Sequence, residues 1–312
     1  MSGITVGRRG LIASAVAAGF TAPVEAQPAP PKLVPAQLAL ADQFDLTSKC
    51  TGRTYRIYVS RPTAPPPGAG YHLVYTLDAD SSFPIVARQL RRTPPLPTLL
   101  VGIAYPDAAA TMRLRSRDLT PSQPDEFSRG QTPPEAVGAE FGGADAFHRF
   151  MTEELQPQLG RMYPLDPHHR SLMGYSLGGL FAMHVMFAHP DAYQGLFIGS
   201  PSIWWNEREV LKGEAGFAAA VRGGKTAPRI LITSAEWEQG EGAPRTPRSG
   251  PALKGSNESR MVDNARELAG RLKAMKGAPG YQVDYAVFAE ETHVSGMPAA
   301  YSRGANFLYA PS

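Results

Sequence analysis

A serine enclosed by glycines lies near the middle of the chain, in the segment RSLMGYSLGGLFAMHV. Residues 174–178 read Gly-Tyr-Ser-Leu-Gly and fit the pattern G-x-S-x-G, in which a strand turns sharply into a helix and presents a serine hydroxyl. An apolar strand-like run precedes the motif, and a helical pattern follows it with Leu180, Met183 and Phe187 on one face. The sequence therefore predicts that Ser176 is a nucleophile; the alternative is an ordinary glycine-rich turn.

A serine nucleophile needs a base, and three histidines follow Ser176 in the chain. His184 falls two turns into the helix that starts at the serine, so it points away from the serine. His189 ends that helix, where an imidazole commonly caps carbonyl groups. His293 lies in FAEETHVSGMP, just after the last predicted strand, where a loop can return its side chain to the nucleophile. We therefore expect His293 to be the general base.

The acid that would orient His293 is less well defined by the sequence. Glu236 and Glu238 both follow the penultimate predicted strand, RILITSA, and alternation lets only one of them face the site. Glu238 is preferred, Glu236 is the second choice, and a Ser–His dyad without a firm acid remains an alternative. Further candidates on the next helix and beside the histidine are Asp263, Asn264, Glu267, Glu290 and Glu291, whereas Asp284 is expected to be structural.

An ester carbonyl under attack needs two N–H donors for its developing negative oxygen. The residue after the nucleophile, Leu177, supplies one at the start of the predicted helix. The second is expected from Asp80, in the polar turn of YTLDADSSF that ends an early strand. The alternative is that Asp78 and Asp80 only cap the following helix.

The elements that must position these groups alternate between strands and helices, which predicts an α/β fold around a mostly parallel sheet. The first edge is expected to be antiparallel because its segments resemble a hairpin. PTLLVGIAY is almost continuously apolar, as in a strand covered on both faces. GADAFHRFMTEELQPQL predicts a helix that ends near Pro157. Cys50 is expected in a strand-like context, as a buried small residue.

Domain organisation follows from length and composition. The 312 residues are 43% hydrophobic and 19% charged, and no boundary divides the predicted catalytic domain, residues 37–312. Two polar stretches rich in proline and glycine, 115–143 and 238–259, are predicted to be long loops, either functional, as lids, or disordered. A net charge of +3 without a basic run gives no support for a nucleic-acid partner.

The N-terminus carries the pattern of an export signal. Arg8 and Arg9 precede a short apolar stretch and small residues up to Ala26, which predicts a signal peptide over 1–26; the alternative is an uncleaved anchor. The arginine pair indicates the twin-arginine route. A Pro-rich linker, 27–36, follows. The apolar stretch is too short to span a bilayer, so a periplasmic or secreted protein without a stable membrane span is expected. A single cysteine excludes an intrachain disulfide. No cluster of residues has the spacing of metal ligands, and we expect the reaction to need no cofactor.

Several segments together resemble the Putative esterase family of α/β-hydrolases. They are, in order, YTLDAD, VGIAYP, RLRSRDLTPS, the region from GGADAF to YSLGGLFA, SPSIWWN and THVSGMP. RDLTPS with SPSIWW is most similar to the siderophore (enterochelin-type) esterase branch. The resemblance implies an α/β-hydrolase fold, catalysis by Ser176 and His293 with a weak or variable acid, and hydrolysis of a small-molecule carboxylic ester.

Candidate substrate contacts follow from residue chemistry. A guanidinium can pair with an anionic or catecholate group, so Arg113 or Arg115 can orient such an ester; the alternative is a solvated loop paired to Asp118. Trp204 and Trp205 follow a strand at the ligand-facing edge, where one is expected to line a pocket and the other to pack in the core. Tyr175 is a further candidate lining residue.

The expected substrate is a siderophore-type or catechol/hydroxybenzoyl ester. The alternatives are a feruloyl, acetyl or short-chain carboxylesterase, an acyltransferase, or a binding module that is not a catalyst.

Overall fold

An eight-stranded sheet forms the centre of the protein. In the computed structural model its strands are β1 (Ala41–Thr47), β2 (Thr54–Ser60), β3 (Tyr71–Leu77), β4 (Thr98–Ala104), β5 (Leu165–Tyr175), β6 (Gly195–Gly199), β7 (Arg229–Ala235) and β8 (Gln282–Phe288). The strands lie in the order β1-β2-β4-β3-β5-β6-β7-β8. β1 pairs with β2 and β2 with β4 in antiparallel fashion, and all the other neighbours are parallel. The predicted parallel sheet with an antiparallel first edge is confirmed.

The structure describes residues 41–91, 97–240 and 256–309. The predicted signal peptide and linker lie outside these residues, and so does most of the second polar stretch, at 241–255. The described residues all belong to one compact unit that spans Leu38–Ser312. None of the helices that they form is long and apolar enough to cross a membrane.

Helices connect the strands and cover the sheet. They are α1 (Ala79–Leu90), α2 (Thr111–Asp118), α3 (Glu126–Gly130), α4 (Ala144–Arg149), α5 (Gln156–Met162), α6 (Leu177–Ala188), α7 (Trp205–Arg208), α8 (Glu214–Arg222), α9 (Ser256–Ser259), α10 (Met261–Lys273) and α11 (Met297–Tyr309). A π-helical segment, Phe150–Leu155, links α4 to α5, and 3-10 turns occur at Pro134–Ala136, Glu209–Gly213 and Glu236–Glu238.

Two apolar cores lie on the two faces of the sheet, and β3 shows how its side chains divide between them. Leu73 and Tyr75 join the larger core, which includes Leu180 of α6, whereas Val74 joins the smaller one with Phe83 of α1. This is the period-two alternation of a strand covered on both faces. All seven residues of β4 are buried, as its apolar run predicts.

Three local expectations were wrong. The stretch 115–143 is not a structureless loop, because it contains the second half of α2, all of α3 and a 3-10 turn. The Asp125 carboxylate caps α3 by accepting the Ser128 N–H at 2.8 Å. The helical segment does not end near Pro157 but continues to Met162, since the proline falls in the first turn of α5, where its missing N–H is tolerated. Cys50 is half-buried in the turn between β1 and β2, not in a strand.

Candidate active site

The parallel strands bring the candidate residues to one edge of the sheet. Ser176 follows β5, Glu238 lies in the turn after β7, and His293 lies between β8 and α11. Asp78 follows β3, which is parallel to β5 and adjacent to it. Because parallel strands end at the same edge, the segments that carry these residues lie at one edge although they are far apart in the chain.

Ser176 occupies the strained turn that the motif predicts. Its φ of 61° and ψ of −120° lie in a region that residues with side chains rarely adopt. Its N–H donates to the Gly199 carbonyl at 2.9 Å, and its carbonyl accepts the Ser202 N–H at 3.2 Å, so the turn is tied to the end of β6. A Cβ on Gly174 would overlap the carbonyl of Gly178, which explains why only glycine fits there.

Glu238 is hydrogen-bonded to His293. The Oε1 atom of Glu238 lies 2.6 Å from Nδ1 of His293, and its Oε2 atom accepts the Ala235 N–H at 3.0 Å. The Glu238 side chain is 1% exposed and that of His293 is 30% exposed. With Nδ1 engaged by the carboxylate, Nε2 is the ring nitrogen left to exchange a proton with a nucleophile.

Glu236 has a different partner. It is exposed, and its Oε2 atom accepts the Glu290 N–H at 2.8 Å, next to the positive φ of 59° at Glu290. Among the described acidic candidates, Glu238 is the one hydrogen-bonded to His293. The others have partners elsewhere: Asp263 with Gln239 and Arg266, Asn264 with Ser259, Glu267 with Arg260, Asp284 with Gln282, and Glu291 with Ser295.

Tyr175, the residue before Ser176, contacts the same pair. It is 5% exposed, its hydroxyl donates to the His293 carbonyl at 2.8 Å, and the hydroxyl oxygen lies 3.5 Å from Glu238 Oε1. The centres of the Tyr175 and His293 rings are 5.0 Å apart. Burial raises the pKa of the Tyr175 hydroxyl, so the group remains a donor. Contact of Tyr175 with a substrate stays a prediction.

Arg115 is held in an ion pair with Asp78. The Asp78 carboxylate accepts hydrogen bonds from Nε at 2.8 Å and Nη2 at 2.7 Å, and the Arg115 side chain is 12% exposed. Burial opposes the charged guanidinium, but Asp78 outweighs it and raises the pKa of Arg115. The Oδ2 atom of Asp78 lies 3.6 Å from the position that a Cβ on Gly178 would take, so the pair lies beside the serine turn. The alternative of a solvated loop paired to Asp118 is wrong for Arg115.

The two candidate oxyanion donors lie at helix starts. Leu177 is the first residue of α6 and Asp80 the second residue of α1, and N–H groups in a first turn have no acceptor within their helix. The Asp80 side chain is exposed and accepts the Tyr58 hydroxyl at 2.9 Å. Asp78 stands at the N-cap of α1, but its carboxylate makes no cap hydrogen bond. That the two N–H groups hold an oxyanion remains a prediction.

The two tryptophans occupy different environments. Trp205 is 2% exposed and donates from Nε1 to the Ser122 carbonyl at 3.2 Å. Trp204 is half-buried, lies edge to face with Phe127 at 5.9 Å between ring centres, and donates to the Met261 sulfur. Trp205 packs in the core, as expected for one of the two. That Trp204 lines a pocket remains a prediction. Arg113 is exposed on α2.

Comparison with known proteins decides the family. The model of the Putative esterase family matches residues 48–249, well over half of the chain. The chain belongs to this family. Its membership, together with the esterases among its relatives, makes it a serine carboxylic-ester hydrolase, as the sequence predicted.

Curated relatives and solved structures agree with this assignment. The esterase is 35% identical to the ferri-bacillibactin esterase BesA of Bacillus subtilis over 274 residues, covering 85% of this chain and 88% of that protein. It is 31% identical to a siderophore enterobactin esterase of Emericella nidulans over 258 residues, covering 77% and 83% of the two chains. These are proteins to which the chain is similar along most of its length.

The structural comparison confirms the α/β-hydrolase fold. The crystal structure of the BES protein from Bacillus cereus aligns with a TM-score of 0.73 and 28% identity, covering 89% of this chain and 98% of that one. The siderophore hydrolase EstA from Aspergillus nidulans aligns with a TM-score of 0.73 and 27% identity, covering 89% and 97%.

One structural feature of the esterase was not expected from its sequence. Asn206, Glu207 and Arg208 have successive positive φ angles of 44°, 52° and 63°, a left-handed turn that costs energy for residues with side chains. The Asn206 side-chain amide donates to Ser122 Oγ at 3.0 Å, and its backbone N–H donates to Ser128 Oγ at 2.9 Å. The turn therefore ties the two tryptophans to the α2–α3 region. In the sequence, only Asn206 indicated this turn, because asparagine tolerates positive φ.

A second unexpected feature is the burial of Asp118 at the end of α2. Its side chain is fully buried, and its Oδ2 atom accepts the hydroxyls of Tyr55 at 2.9 Å and Tyr105 at 3.3 Å. Burial raises the pKa of Asp118 to about 6, although these hydrogen bonds and nearby arginines work in the opposite direction. The residue anchors the helix that carries Arg115 three positions earlier.

Proposed function

We propose that this esterase hydrolyses siderophore-type catechol or hydroxybenzoyl esters through an acyl-enzyme, with Ser176 as nucleophile, His293 as general base and Glu238 as the orienting acid. The observation that carries the proposal is the Glu238–His293 hydrogen bond at the sheet edge where the strained turn presents Ser176. The three groups have the roles of a serine-hydrolase triad in the chain order Ser, acid, His.

Acylation begins with attack of Ser176 Oγ on the ester carbonyl carbon. His293 Nε2 takes the hydroxyl proton, and Glu238 stabilises the imidazolium that forms. The N–H groups of Leu177 and Asp80 hold the tetrahedral oxyanion, aided by the helix starts that carry them. As the intermediate collapses, the carbon–oxygen bond to the leaving alcohol breaks, and His293 returns the proton to that alcohol.

Deacylation repeats these steps with water. His293 removes a proton from the water as its oxygen attacks the acyl carbon. The ester bond to Ser176 then breaks, and the proton passes to Ser176 Oγ. The carboxylic acid is released and the Ser176 hydroxyl is restored, so the reaction needs no cofactor.

The substrate class rests on the charged and aromatic groups beside this machinery. The Arg115 guanidinium donates to Asp78 through Nε and Nη2. Its remaining N–H groups can donate to the oxygens of a catechol or an iron-bound catecholate. Trp204 and Phe127 offer aromatic faces to a dihydroxybenzoyl ring, and Arg113 is exposed on the same helix as Arg115. Two relatives of this chain are named a ferri-bacillibactin esterase and a siderophore enterobactin esterase, which supports a siderophore-type ester as the substrate.

The cellular location of this reaction is part of the proposal. The Arg8–Arg9 pair, the short apolar stretch and the small residues up to Ala26 support export to the periplasm or the medium. There the enzyme would meet siderophores outside the cytoplasm.

A substrate panel tests the proposal. The wild type and Ser176→Ala are assayed on iron-free and iron-loaded tris-catecholate esters, methyl ferulate, and a chromogenic acetate. We expect the wild type to have its highest kcat/KM on a tris-catecholate ester and Ser176→Ala to lose about 10³-fold or more. Turnover of the ferulate or acetate alone would replace the proposed substrate with a feruloyl or short-chain ester. An equally active Ser176→Ala would reject the acyl-enzyme mechanism.

A further inference from the structure

The nucleophile and the base lie on segments that come from distant parts of the chain. Ser176 lies in the strained turn after β5, whereas His293 lies in segment 289–295, whose residues are all exposed or half-buried. Val294, the next residue, is 77% exposed. Because none of these residues is fully buried, packing alone does not hold the half-buried His293 ring in one place.

Tyr175 joins these two segments. It is bonded through its carbonyl to Ser176, and its hydroxyl donates to the His293 carbonyl at 2.8 Å across 118 residues of chain. The ring of the same side chain lies 5.0 Å from the His293 ring, and the tyrosine is 5% exposed. Tyr175 therefore links the His293 backbone and ring to the turn that carries Ser176, whereas Glu236 and Glu238 hold the same segment from the β7 side.

The hydroxyl also lies beside the acid. It is 3.5 Å from Glu238 Oε1, the oxygen that accepts the hydrogen bond from His293 Nδ1. On the other side, Tyr301 packs against the Tyr175 ring at 6.1 Å between ring centres. Tyr301 therefore restricts the rotamers of Tyr175, because a buried aromatic ring can move only if its neighbours move.

We propose that Tyr175 is a positioning residue that fixes the His293 segment to the nucleophile turn, so that the base and the nucleophile keep one mutual geometry. This inference rests on the proposed catalytic role of Ser176 and His293. It gives the residue before the nucleophile a role other than lining the substrate pocket. A positioning role predicts a loss in kcat, whereas a lining role predicts a rise in KM.

The test removes one oxygen atom. Tyr175→Phe keeps the ring and loses both hydroxyl contacts, and Tyr193→Phe is the matched control, because Tyr193 is 3% exposed and its hydroxyl has no hydrogen-bond partner within the described residues. We expect Tyr175→Phe to lower kcat about 10- to 100-fold, because a misplaced base costs about that much, with KM changed by less than about twofold. Tyr193→Phe should keep both constants.

A second measurement does not depend on turnover. The Nδ1 proton of His293, hydrogen-bonded to Glu238, should give a low-field proton resonance in the wild type and in Tyr193→Phe that broadens by faster exchange in Tyr175→Phe. The backbone amide of Val294, which shares a peptide group with the His293 carbonyl, should have an order parameter near that of rigid backbone, about 0.85, in the wild type.

The outcomes separate the two proposals. An unchanged kcat and an unchanged low-field resonance in Tyr175→Phe would overturn the positioning role, and so would a wild-type Val294 amide as mobile as a free loop, below about 0.6. A raised KM with an unchanged kcat would return Tyr175 to the substrate pocket. If the wild type hydrolyses none of the esters, the proposed function fails, while the resonance and the order parameter still decide the positioning role.

Discussion

Glu238 and His293 are joined by a 2.6 Å hydrogen bond, while Glu236, only two residues before Glu238, lies outside this contact and holds the backbone of Glu290. The 3-10 turn at 236–238 separates the two carboxylates, because it turns one toward the buried edge of the sheet and leaves the other in solvent. The sequence left the choice of acid open between these two residues. In the folded chain, Glu238 contacts the histidine and Glu236 does not.

The first prediction contrasts these two glutamates. Glu238→Gln keeps the size of the side chain but cannot stabilise the imidazolium, so kcat on a tris-catecholate ester should fall by about 10²–10⁴-fold. Glu236→Gln should keep kcat within about threefold, because Glu236 does not contact His293. Steady-state kinetics of both variants check this. Full activity of Glu238→Gln would favour a Ser–His dyad, and equal losses in the two variants would contradict the preference for Glu238 over Glu236.

The second prediction concerns Arg115, which Asp78 holds beside the serine turn. Arg115→Lys keeps a positive charge but loses the planar fork that Asp78 holds, so KM for an iron-loaded catecholate ester should rise about tenfold. KM for a neutral chromogenic ester should change much less, since that ester offers no anionic group. Arg222→Lys, an exposed site at the end of α8, is the control. If KM rises equally for both esters, Arg115 is not selective for the charged substrate.

The third prediction is a pH dependence of stability that arises from Asp118. Burial raises the pKa of its carboxyl from 3.8 to about 6 in the folded protein, so between these values the folded state binds more protons than the unfolded state. The contribution of this group to stability is therefore most favourable at low pH and is lost as the pH rises through 6, a change of ~3 kcal/mol.

Urea unfolding of the wild type and Asp118→Asn between pH 4 and pH 7 measures this effect. The free energy of unfolding of the wild type should fall relative to that of Asp118→Asn as the pH rises, because the asparagine carries no charge at any pH. Asp191→Asn, at an exposed position, should run parallel to the wild type. Parallel curves for Asp118→Asn as well would show that Asp118 titrates normally.

The fourth prediction tests the left-handed turn after the tryptophans. Asn206→Ala removes the hydrogen bonds of the side-chain amide and places alanine at a φ of 44°, so the free energy of unfolding should fall by about 1–3 kcal/mol. Glu207→Gly, at the exposed next position with φ 52°, should keep or slightly raise stability because glycine adopts positive φ without strain. Chemical denaturation checks both changes. Equal destabilisation by the two variants would contradict the role of the Asn206 amide.

The sequence alone predicted β2 to β8 in their order along the chain, the serine turn, and His293 as the candidate base. These depend on local patterns: apolar alternation, an all-apolar run in β4, and a motif whose glycines admit one backbone path. It missed β1, whose seven residues are mostly exposed or half-buried at the sheet edge and show no clean alternation. It misjudged 115–143, where caps such as Asp125 build short helices in a polar, proline-rich context.

Which side chains come into contact follows from the three-dimensional fold. The contacts of Glu238 with His293, of Arg115 with Asp78 and of Tyr175 with the His293 carbonyl each join segments separated by 37 to 118 residues. Local preferences act over a few residues, whereas these contacts depend on the crossing order of strands in the sheet and on the exact turn that follows each strand. The burial of Asp118 is of the same kind, because the two tyrosines that surround its carboxylate come from β2 and from the end of β4.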